Sequence, residues 1–170
     1  MKLTIAVTDA CIFIDLFDLE LIASFFNLEL EVHTTSAVYF ELHIDQQRVL
    51  KTYQSANRLI IHNLEENDLI KIFSENYPKS LSETDKSVLY VANKLNACVL
   101  SSDKVLRNCA KNKKIEYHGM IWIFDELVKS NILTQTEAVI KVNKLVTSNY
   151  IFRNNKQLEN EIEKRLKLWS

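Results

Sequence analysis

The sequence predicts an α/β protein built on a mostly parallel sheet, and three observations carry that prediction. Short apolar runs alternate along the chain with segments of helical period, which is the order of βα units. Gly119 and Pro78 are the only glycine and proline, so tight hairpin turns between antiparallel strands are disfavoured. With 170 residues, 47% of them hydrophobic, the chain can cover a sheet with packed helices.

Strands are predicted at five short apolar runs: residues 3–8, 58–62 and 97–100, and more weakly 28–32 and 115–117. Three other segments space their apolar side chains three and four residues apart, as helices do. They are "DLFDLELIASFFN", "SAVYFELHIDQQRVLKTYQSA", helical from its serine, and "SETDKSVLYVANKLN". We expect a helix over each of these segments.

Beyond residue 133 the pattern is purely helical. "TQTEAVIKVNKLV" opens with a capping box from Thr134 to Glu137. "KQLENEIEKRLKLW" places an apolar stripe on one face, formed by Leu158, Ile162, Leu166 and Trp169. We expect residues 134–170 to be a helical C-terminal extension whose stripe packs on the same domain; the alternative is that the stripe docks a second copy, as in a homodimer, or another protein partner.

Composition excludes several classes of protein. With 21 basic and 22 acidic residues, the chain is neither a basic nucleic-acid arm nor an acidic tail. A single glycine argues against a phosphate loop or a dinucleotide fingerprint. The three cysteines lack zinc-site spacing and a disulfide framework, which favours a reducing cytoplasm. The N-terminal apolar run is too short for a signal peptide, and no 18-residue window lacks charge, so we expect a soluble cytoplasmic protein.

Two predicted strands end in an aspartate. Asp9 closes the first strand, and Asp103 follows "ACVLSS" at the start of a helix. In open parallel sheets, ligands bind beyond the carboxyl ends of the strands, so the two acids point to one site. Each also has an ordinary structural explanation, since Asp103 fits a helix N-cap and Asp9 a solvated strand end.

Two further acids lie on predicted helices. Glu41, in "SAVYFEL", is close to an apolar stripe, where a carboxylate needs a partner such as a cation; otherwise it is a helix-surface residue. Asp85, in "LSETDKSVL", matches a capping box with Ser82, which alone would explain it. Neither residue is informative by itself.

In order along the chain, "VTDACIFIDL", "SAVYFEL", "LSETDKSVLYVANKLNACVLSSDKVLR" and "YHGMIWIFDELV" resemble the PIN domain, in particular the single-domain VapC-type toxins and their relatives. The resemblance spans about residues 3–133 and is most specific over 81–107. It implies a three-layer α/β/α PIN-like nuclease domain over residues 1–133. It also implies one acidic pocket, formed by Asp9, Glu41, Asp85 and Asp103.

The implied activity is metal-dependent hydrolysis of RNA. Crowded carboxylates need a counter-charge, and all-oxygen ligands select Mg²⁺ or Mn²⁺. On this resemblance Asp9 and Asp103 would hold the principal metal, and Asp85 and Glu41 a second metal or the attacking water. A VapC-type relative would also have an antitoxin protein that blocks the pocket. The histidines are interpreted as structural or surface residues: His33, His43, His62 and His118.

Positive charge for an RNA substrate follows Asp103. Lys104, Arg107, Lys111 and Lys114 are spaced to lie on one helix face, which is either a phosphate-contacting surface or an ordinary solvated face. Ser101, beside the second strand end, is a further candidate for substrate contact.

Two interpretations compete with the nuclease. A PIN fold that binds RNA or a protein without cleaving is the first, and the intact acidic quartet argues against it. An aspartate-nucleophile phosphatase or a receiver domain is the second, but "TDACI" lacks the DxD motif of the phosphatases and the adjacent acids of receivers.

Overall fold

The structure is a computed structural model that describes residues 3–170. Its centre is a five-stranded sheet in the order β3-β2-β1-β4-β5, with every neighbouring pair parallel. The strands are β1 (Thr4–Thr8), β2 (Leu30–Thr35), β3 (Leu59–His62), β4 (Cys98–Leu100) and β5 (Tyr117–His118). Each of the five overlaps the run expected for it from the sequence.

Helices connect the strands and complete the chain. They are α1 (Ala10–Asp18), α2 (Ile22–Phe26), α3 (Ser36–Glu41), α4 (Ile44–Ser55), α5 (Glu66–Ser74), α6 (Glu83–Leu95), α7 (Lys104–Asn112), α8 (Met120–Lys129), α9 (Gln135–Ser148), α10 (Tyr150–Arg153) and α11 (Lys156–Trp169). Helix α6 packs on β1, β2 and β4, α4 packs on β3, and α7 packs on β5. The expected fold class is confirmed: a parallel sheet flanked by helices, followed by a helical C-terminal segment.

The order of the strands creates a crevice beside β1. The chain runs outward from β1 to β2 and β3, then crosses back to β4 on the other side of β1. The register pairs Val7 with Val99 and Thr8 with Leu100, so β1 and β4 end side by side. Because helices leave these two strand ends in different directions at such a reversal, the edge beyond them is where ligands bind in open parallel sheets.

Two expected single helices are each broken into two, and both breaks bury a leucine. In 15–27, Glu20 takes a left-handed conformation with φ of 58°, and the Leu21 amide bonds back to Leu16 O at 2.8 Å, which leaves Leu21 buried. In 36–56, the buried Leu42 is extended with ψ of 156°, and the His43 amide donates to Gln46 Oε1 to start α4 afresh.

The chain forms two compact units. One comprises residues 3–14 together with Glu29–Gly119, and contains the sheet; the other comprises Asp15–Leu28 with Met120–Ser170. Within the second unit α9 packs on α8, and α11 packs on α9. Ile162 and Trp169, two members of the expected stripe, are buried there. None of the helices found between residues 3 and 170 is long and apolar enough to cross a membrane.

Candidate active site

Asp9 is a buried carboxylate at the end of β1. Only 5% of the residue is exposed, and its amide continues the sheet by bonding to Leu100 O at 3.0 Å. The Ala10 amide donates to Oδ1 at 2.8 Å. Ser101 Oγ donates to Oδ2 at 2.8 Å and the Cys11 thiol donates to the same oxygen at 3.2 Å. Asp9 is therefore fixed in position by groups that follow β1 and by groups at the end of β4.

Burial raises the pKa of Asp9, while the hydrogen bonds from Ser101, Cys11 and Ala10 lower it and the negative charge of Asp85 raises it further. A carboxylate that is buried beside another acid carries an unfavourable charge. A cation at this position would relieve both effects, since it replaces lost solvation and offsets the second charge.

Asp103 reaches the same edge from β4. Its amide donates to Ser101 Oγ at 3.0 Å, so one serine hydroxyl bonds to both strand-end acids. Its Oδ1 accepts from the Leu106 amide at 2.8 Å, which makes Asp103 the N-cap of α7, as the ordinary structural explanation expected. The cap occupies one oxygen, and each carboxylate oxygen has two lone pairs, so the residue retains capacity to bind a cation.

Asp85 lies in the first turn of α6, which packs on β1. Its Oδ2 accepts from the Ser82 amide at 3.0 Å and from Ser82 Oγ at 2.7 Å, while its own amide donates to Ser82 Oγ at 3.1 Å. The capping box expected from the sequence is thus formed. Asp85 is nevertheless close enough to Asp9 for its charge to act on the Asp9 pKa.

Glu41 is the last residue of α3 and is exposed to solvent. Helix α3 packs on α6, the helix that carries Asp85. Across residues 3–170, no three acidic, histidine or cysteine side chains converge in the arrangement of a ready-made metal cage. In the structure, Asp9 and Asp103 are linked by hydrogen bonds through Ser101, and the charge of Asp85 acts on Asp9. Glu41 lies apart from them, at the end of α3.

The donor chemistry around Asp9 fits a hard divalent cation. The available ligands are carboxylate and hydroxyl oxygens, which suit Mg²⁺ or Mn²⁺. The nearby thiol does not change this, because burial raises the pKa of Cys11 and the carboxylate of Asp9 raises it further. Cys11 is therefore a hydrogen-bond donor to Asp9 rather than the thiolate that soft metals prefer as a ligand.

Two residues of this site escape the sequence analysis. Cys11 is noticed there only for lacking a partner cysteine, yet its Sγ bonds to Asp9 and accepts from the Ser102 amide at 3.2 Å. Ser102 is buried as well. The available signal was position: Cys11 follows Asp9 by two residues at the start of α1, and Ser102 directly precedes Asp103.

The candidate substrate residues fall into two environments. Lys104 and Lys111 are exposed on α7, and Arg107 is half-buried with its guanidinium 5.0 Å from the centre of the Tyr117 ring. Ser101 is completely buried, with its hydroxyl engaged by Asp9 and Asp103.

The expectation that Lys114 extends this basic helix face is wrong. Helix α7 ends at Asn112, and Lys114 has a left-handed backbone with φ of 58°. The Ile115 amide bonds back to Ala110 O at 2.9 Å, which turns the chain toward β5 and buries Ile115. Burial of this apolar residue decides where the helix stops.

Three of the four histidines form side-chain hydrogen bonds, and His43 is exposed. His33 Nδ1 lies 2.7 Å from His62 Nε2, and His33 Nε2 lies 2.8 Å from Glu31 Oε1, which ties β2 to the edge strand β3. His118 Nε2 lies 2.8 Å from Glu116.

Comparison with known proteins gives a family and several structural likenesses, two of which are described here. A domain of a functionally unknown protein from Methanocaldococcus jannaschii DSM 2661 has 24% identity and a TM-score of 0.48, over 68% of this chain and 90% of that one. A PilT N-terminus domain protein from the archaeon Sulfolobus solfataricus P2 has 21% identity and a TM-score of 0.45, over 75% and 92%. No curated protein matches the chain.

The family match extends over almost the whole sequence. The model DUF3368, described as a PIN domain, matches residues 5–167, a range that includes all four candidate acids and the C-terminal helices. The chain belongs to the PIN domain family.

Proposed function

We propose that this PIN domain is a metal-dependent nuclease that hydrolyses phosphodiester bonds of RNA at the edge of β1 and β4. The observation that carries the proposal is the buried Asp9 carboxylate. Ser101 and Cys11 donate hydrogen bonds to it, and the Ser101 hydroxyl also accepts from the Asp103 amide. The negative charge of Asp85 raises the pKa of Asp9. Such an arrangement is costly for folding and useful for binding a cation.

In this proposal the acids divide the work. Asp9 and Asp103 would hold the principal Mg²⁺ or Mn²⁺, and Asp85 and Glu41 would hold a second ion or orient the attacking water. The bound metal would supply a hydroxide at neutral pH and offset charge on the leaving oxygen. Ser101 and Cys11 hold the Asp9 carboxylate in one orientation, so little rearrangement is needed when the substrate arrives.

Substrate binding is assigned to the basic residues of α7. Lys104, Arg107 and Lys111 would contact phosphates of the RNA backbone, and these contacts position the strand without reading its sequence. Ser101 would act indirectly, by holding the Asp9 carboxylate in position. The choice of RNA over DNA follows from the family resemblance, so cleavage should be measured on both nucleic acids.

Within this proposal, the protein is the toxin of a two-protein toxin–antitoxin pair. The antitoxin would be a small protein that covers the acids and so abolishes cleavage. Growth arrest on expression, reversed by co-expression of the protein encoded beside this chain, is the expected result; normal growth together with in vitro nuclease activity would retain the nuclease and reject the toxin role.

A second candidate function is binding of RNA or protein without cleavage. It is favoured by one observation: the hydrogen bonds of Asp85 and Asp103 are those of helix caps, which an inactive scaffold would also keep. The buried Asp9 favours the nuclease: one of its oxygens accepts from the first amide of α1, but no helix cap requires the further bonds from Ser101 and Cys11 to the other oxygen.

Cleavage of a mixed RNA pool separates the two functions. Purified wild type is incubated with Mg²⁺, with Mn²⁺ and with chelator, beside a single-stranded DNA pool, and compared with Asp9→Asn. Asp45→Asn is the matched control, because Asp45 is an exposed carboxylate on α4. Metal-dependent cutting that is lost only in Asp9→Asn is expected. Wild-type cutting by Asp9→Asn, or no cutting by folded wild type, would reject the nuclease.

A further inference from the structure

Thr35 joins two helices of the unit that contains the sheet. It lies at the end of β2, is completely buried and is the N-cap of α3, because its Oγ1 accepts from the Val38 amide at 3.2 Å. The same oxygen lies 2.9 Å from Ser87 Oγ on α6. One threonine hydroxyl therefore connects the start of α3, whose last residue is Glu41, to the helix that carries Asp85.

The direction of the bond between Thr35 and Ser87 follows from the other partner of Ser87. Ser87 is buried, and its hydroxyl donates to Thr84 O at 2.6 Å. A hydroxyl has one proton and a carbonyl can only accept, so the proton of Ser87 is used in that bond. Thr35 must therefore donate to Ser87. Each of the two hydroxyls accepts one hydrogen bond and donates another.

This series of hydrogen bonds ends on the peptide group of Asp85. Thr84 O and the Asp85 amide belong to the same peptide unit, and that amide donates to Ser82 Oγ at 3.1 Å. Ser82 Oγ in turn donates to Asp85 Oδ2 at 2.7 Å. The carbonyl of the peptide is held by Ser87 and its N–H by Ser82. Because hydrogen bonds aligned in this way polarise and strengthen one another, a change at Thr35 alters the bonds at the Asp85 carboxylate.

Packing alone does not call for the two hydroxyls, since apolar side chains of the same shape can replace a buried hydrogen-bonded pair at little cost. A buried polar network whose members are all satisfied is rigid and fixes one arrangement of the elements it joins. We propose that Thr35 and Ser87 are positioning residues, which orient the Asp85 carboxylate for binding of a divalent cation. Neither residue would touch the cation. The role of Asp85 as a metal ligand rests on the proposed function.

Mn²⁺ binding by folded variants tests the positioning role without any cleavage. Thr35→Val removes the hydroxyl and keeps the shape of the side chain, whereas Thr35→Ser keeps the hydroxyl and removes a buried methyl group. Ser87→Ala breaks the next bond of the series. Thr134→Val is the matched control, because Thr134 is the N-cap of α9 and its hydroxyl accepts from the Glu137 amide. Isothermal titration gives the Mn²⁺ affinity, and urea unfolding gives the stability of each variant.

The variants should separate Mn²⁺ affinity from stability. Thr35→Val and Ser87→Ala are each expected to weaken Mn²⁺ binding about tenfold, the lower end of the effect of partners that orient metal ligands. Thr35→Ser should bind Mn²⁺ nearly as wild type does, although the missing methyl group makes it less stable. Thr134→Val should lose stability and keep wild-type affinity. If Thr35 had only a structural role, Mn²⁺ affinity would instead follow stability in every variant.

A second variant shows whether Thr35 acts through Asp85. Asp85→Asn alone should weaken Mn²⁺ binding, and the addition of Thr35→Val should weaken it no further, because the carboxylate that Thr35 orients is gone. A further loss of about tenfold in the double variant would show that Thr35 acts by another route, and would overturn the proposal.

Failure of the positioning role differs from failure of the proposed function. Wild-type Mn²⁺ affinity in folded Thr35→Val or in folded Ser87→Ala would overturn the positioning role and leave the metal site in place. Absence of Mn²⁺ binding by folded wild type would reject the metal site itself, and the positioning role with it. The titration of wild type therefore distinguishes the two.

Discussion

The Ser101 hydroxyl donates to Asp9 Oδ2 over 2.8 Å, and this bond joins the end of β4 to the end of β1. Because the same hydroxyl accepts from the Asp103 amide at 3.0 Å, the serine sets the spacing of the two strand-end acids. A small, completely buried residue thus determines the geometry of a site that is identified by its carboxylates. Partners that orient metal ligands in this way typically influence metal affinity by about 10- to 100-fold.

Replacing Ser101 by Ala should therefore weaken Mn²⁺ binding about 10-fold or more and reduce cleavage to a similar extent. Loss of the bond should also lower the free energy of unfolding by on the order of 1–2 kcal/mol. Cys11→Ser, which keeps a donor toward Asp9, is the graded comparison and should have a much smaller effect. Isothermal titration with Mn²⁺ and urea unfolding give the two readouts; equal Mn²⁺ affinity in wild type and Ser101→Ala would remove the serine from the site.

The capping boxes of α6 and α9 offer a matched pair of variants. Ser82→Ala and Thr134→Ala each remove an N-cap hydroxyl, and each should cost about 1 kcal/mol of stability. Only Ser82 bonds to a candidate metal ligand, Asp85. We expect Ser82→Ala to weaken Mn²⁺ binding and Thr134→Ala to leave it unchanged. Equal metal affinity in the two variants would show that Asp85 is a cap and nothing more.

Asp15 should make stability depend on pH. Burial raises its pKa to about 6, and although Asn149 donates to Oδ1 at 2.8 Å, Oδ2 has no partner among residues 3–170. A raised folded-state pKa contributes stability that is fully present below the unfolded value of about 3.9 and is lost as the pH rises through about 6. The free energy of unfolding of Asp15→Asn should therefore exceed that of wild type by on the order of 1 kcal/mol at pH 7.5, after allowance for solvent screening, and by little at pH 4. Urea unfolding at both pH values tests this. A difference in stability between Asp15→Asn and wild type that is the same at pH 7.5 and at pH 4 would contradict it.

The pair formed by His33 and His62 should make stability depend on pH in the direction opposite to that of Asp15. Burial, the neighbouring His33 and the charge of Lys94 lower the pKa of His62, against Asp68, which raises it. The two ring nitrogens lie 2.7 Å apart. A single proton between them forms a hydrogen bond, whereas a proton on each nitrogen causes repulsion. A lowered folded-state pKa gives stability that is present above the unfolded value of about 6.5 and is lost as the pH falls below it.

His62→Gln should therefore lose less stability than wild type between pH 7.5 and pH 5.5. His43→Gln, a change at an exposed position, should follow the wild-type curve. The measurement is urea unfolding across that range, with each variant compared to wild type at the same pH so that the contribution of Asp15 cancels. Identical curves for wild type and His62→Gln would show that the pair is electrostatically silent.

Much of the sheet could be predicted from sequence, because buried strands appear as apolar runs whatever lies around them. The breaks at Glu20 and at Leu42 could not, since local spacing favours continuous helices and only tertiary burial of Leu21 and Leu42 decides otherwise. The same competition ends α7 before Lys114, where burial of Ile115 outweighs the helical pattern.

For the site, sequence order was sufficient to nominate the four acids but not the groups that hold them. Nothing in a serine or a cysteine taken singly indicates a bond to a residue 92 positions away, as between Ser101 and Asp9. The close approach of Gly119 to Arg107 and Ser101 likewise depends on how three segments of chain fold together, which sequence spacing does not encode.

The proposed function requires that the acids at the ends of β1 and β4 hold a divalent cation. The most direct measurement is Mn²⁺ binding by electron paramagnetic resonance to wild type, Asp9→Asn, Asp103→Asn and the control Asp45→Asn, with Mg²⁺ as competitor. We predict saturable binding to wild type and to Asp45→Asn that Mg²⁺ displaces, and loss of that binding in Asp9→Asn and Asp103→Asn. Unchanged binding in Asp9→Asn, or no saturable binding by folded wild type, would contradict the proposed metal site.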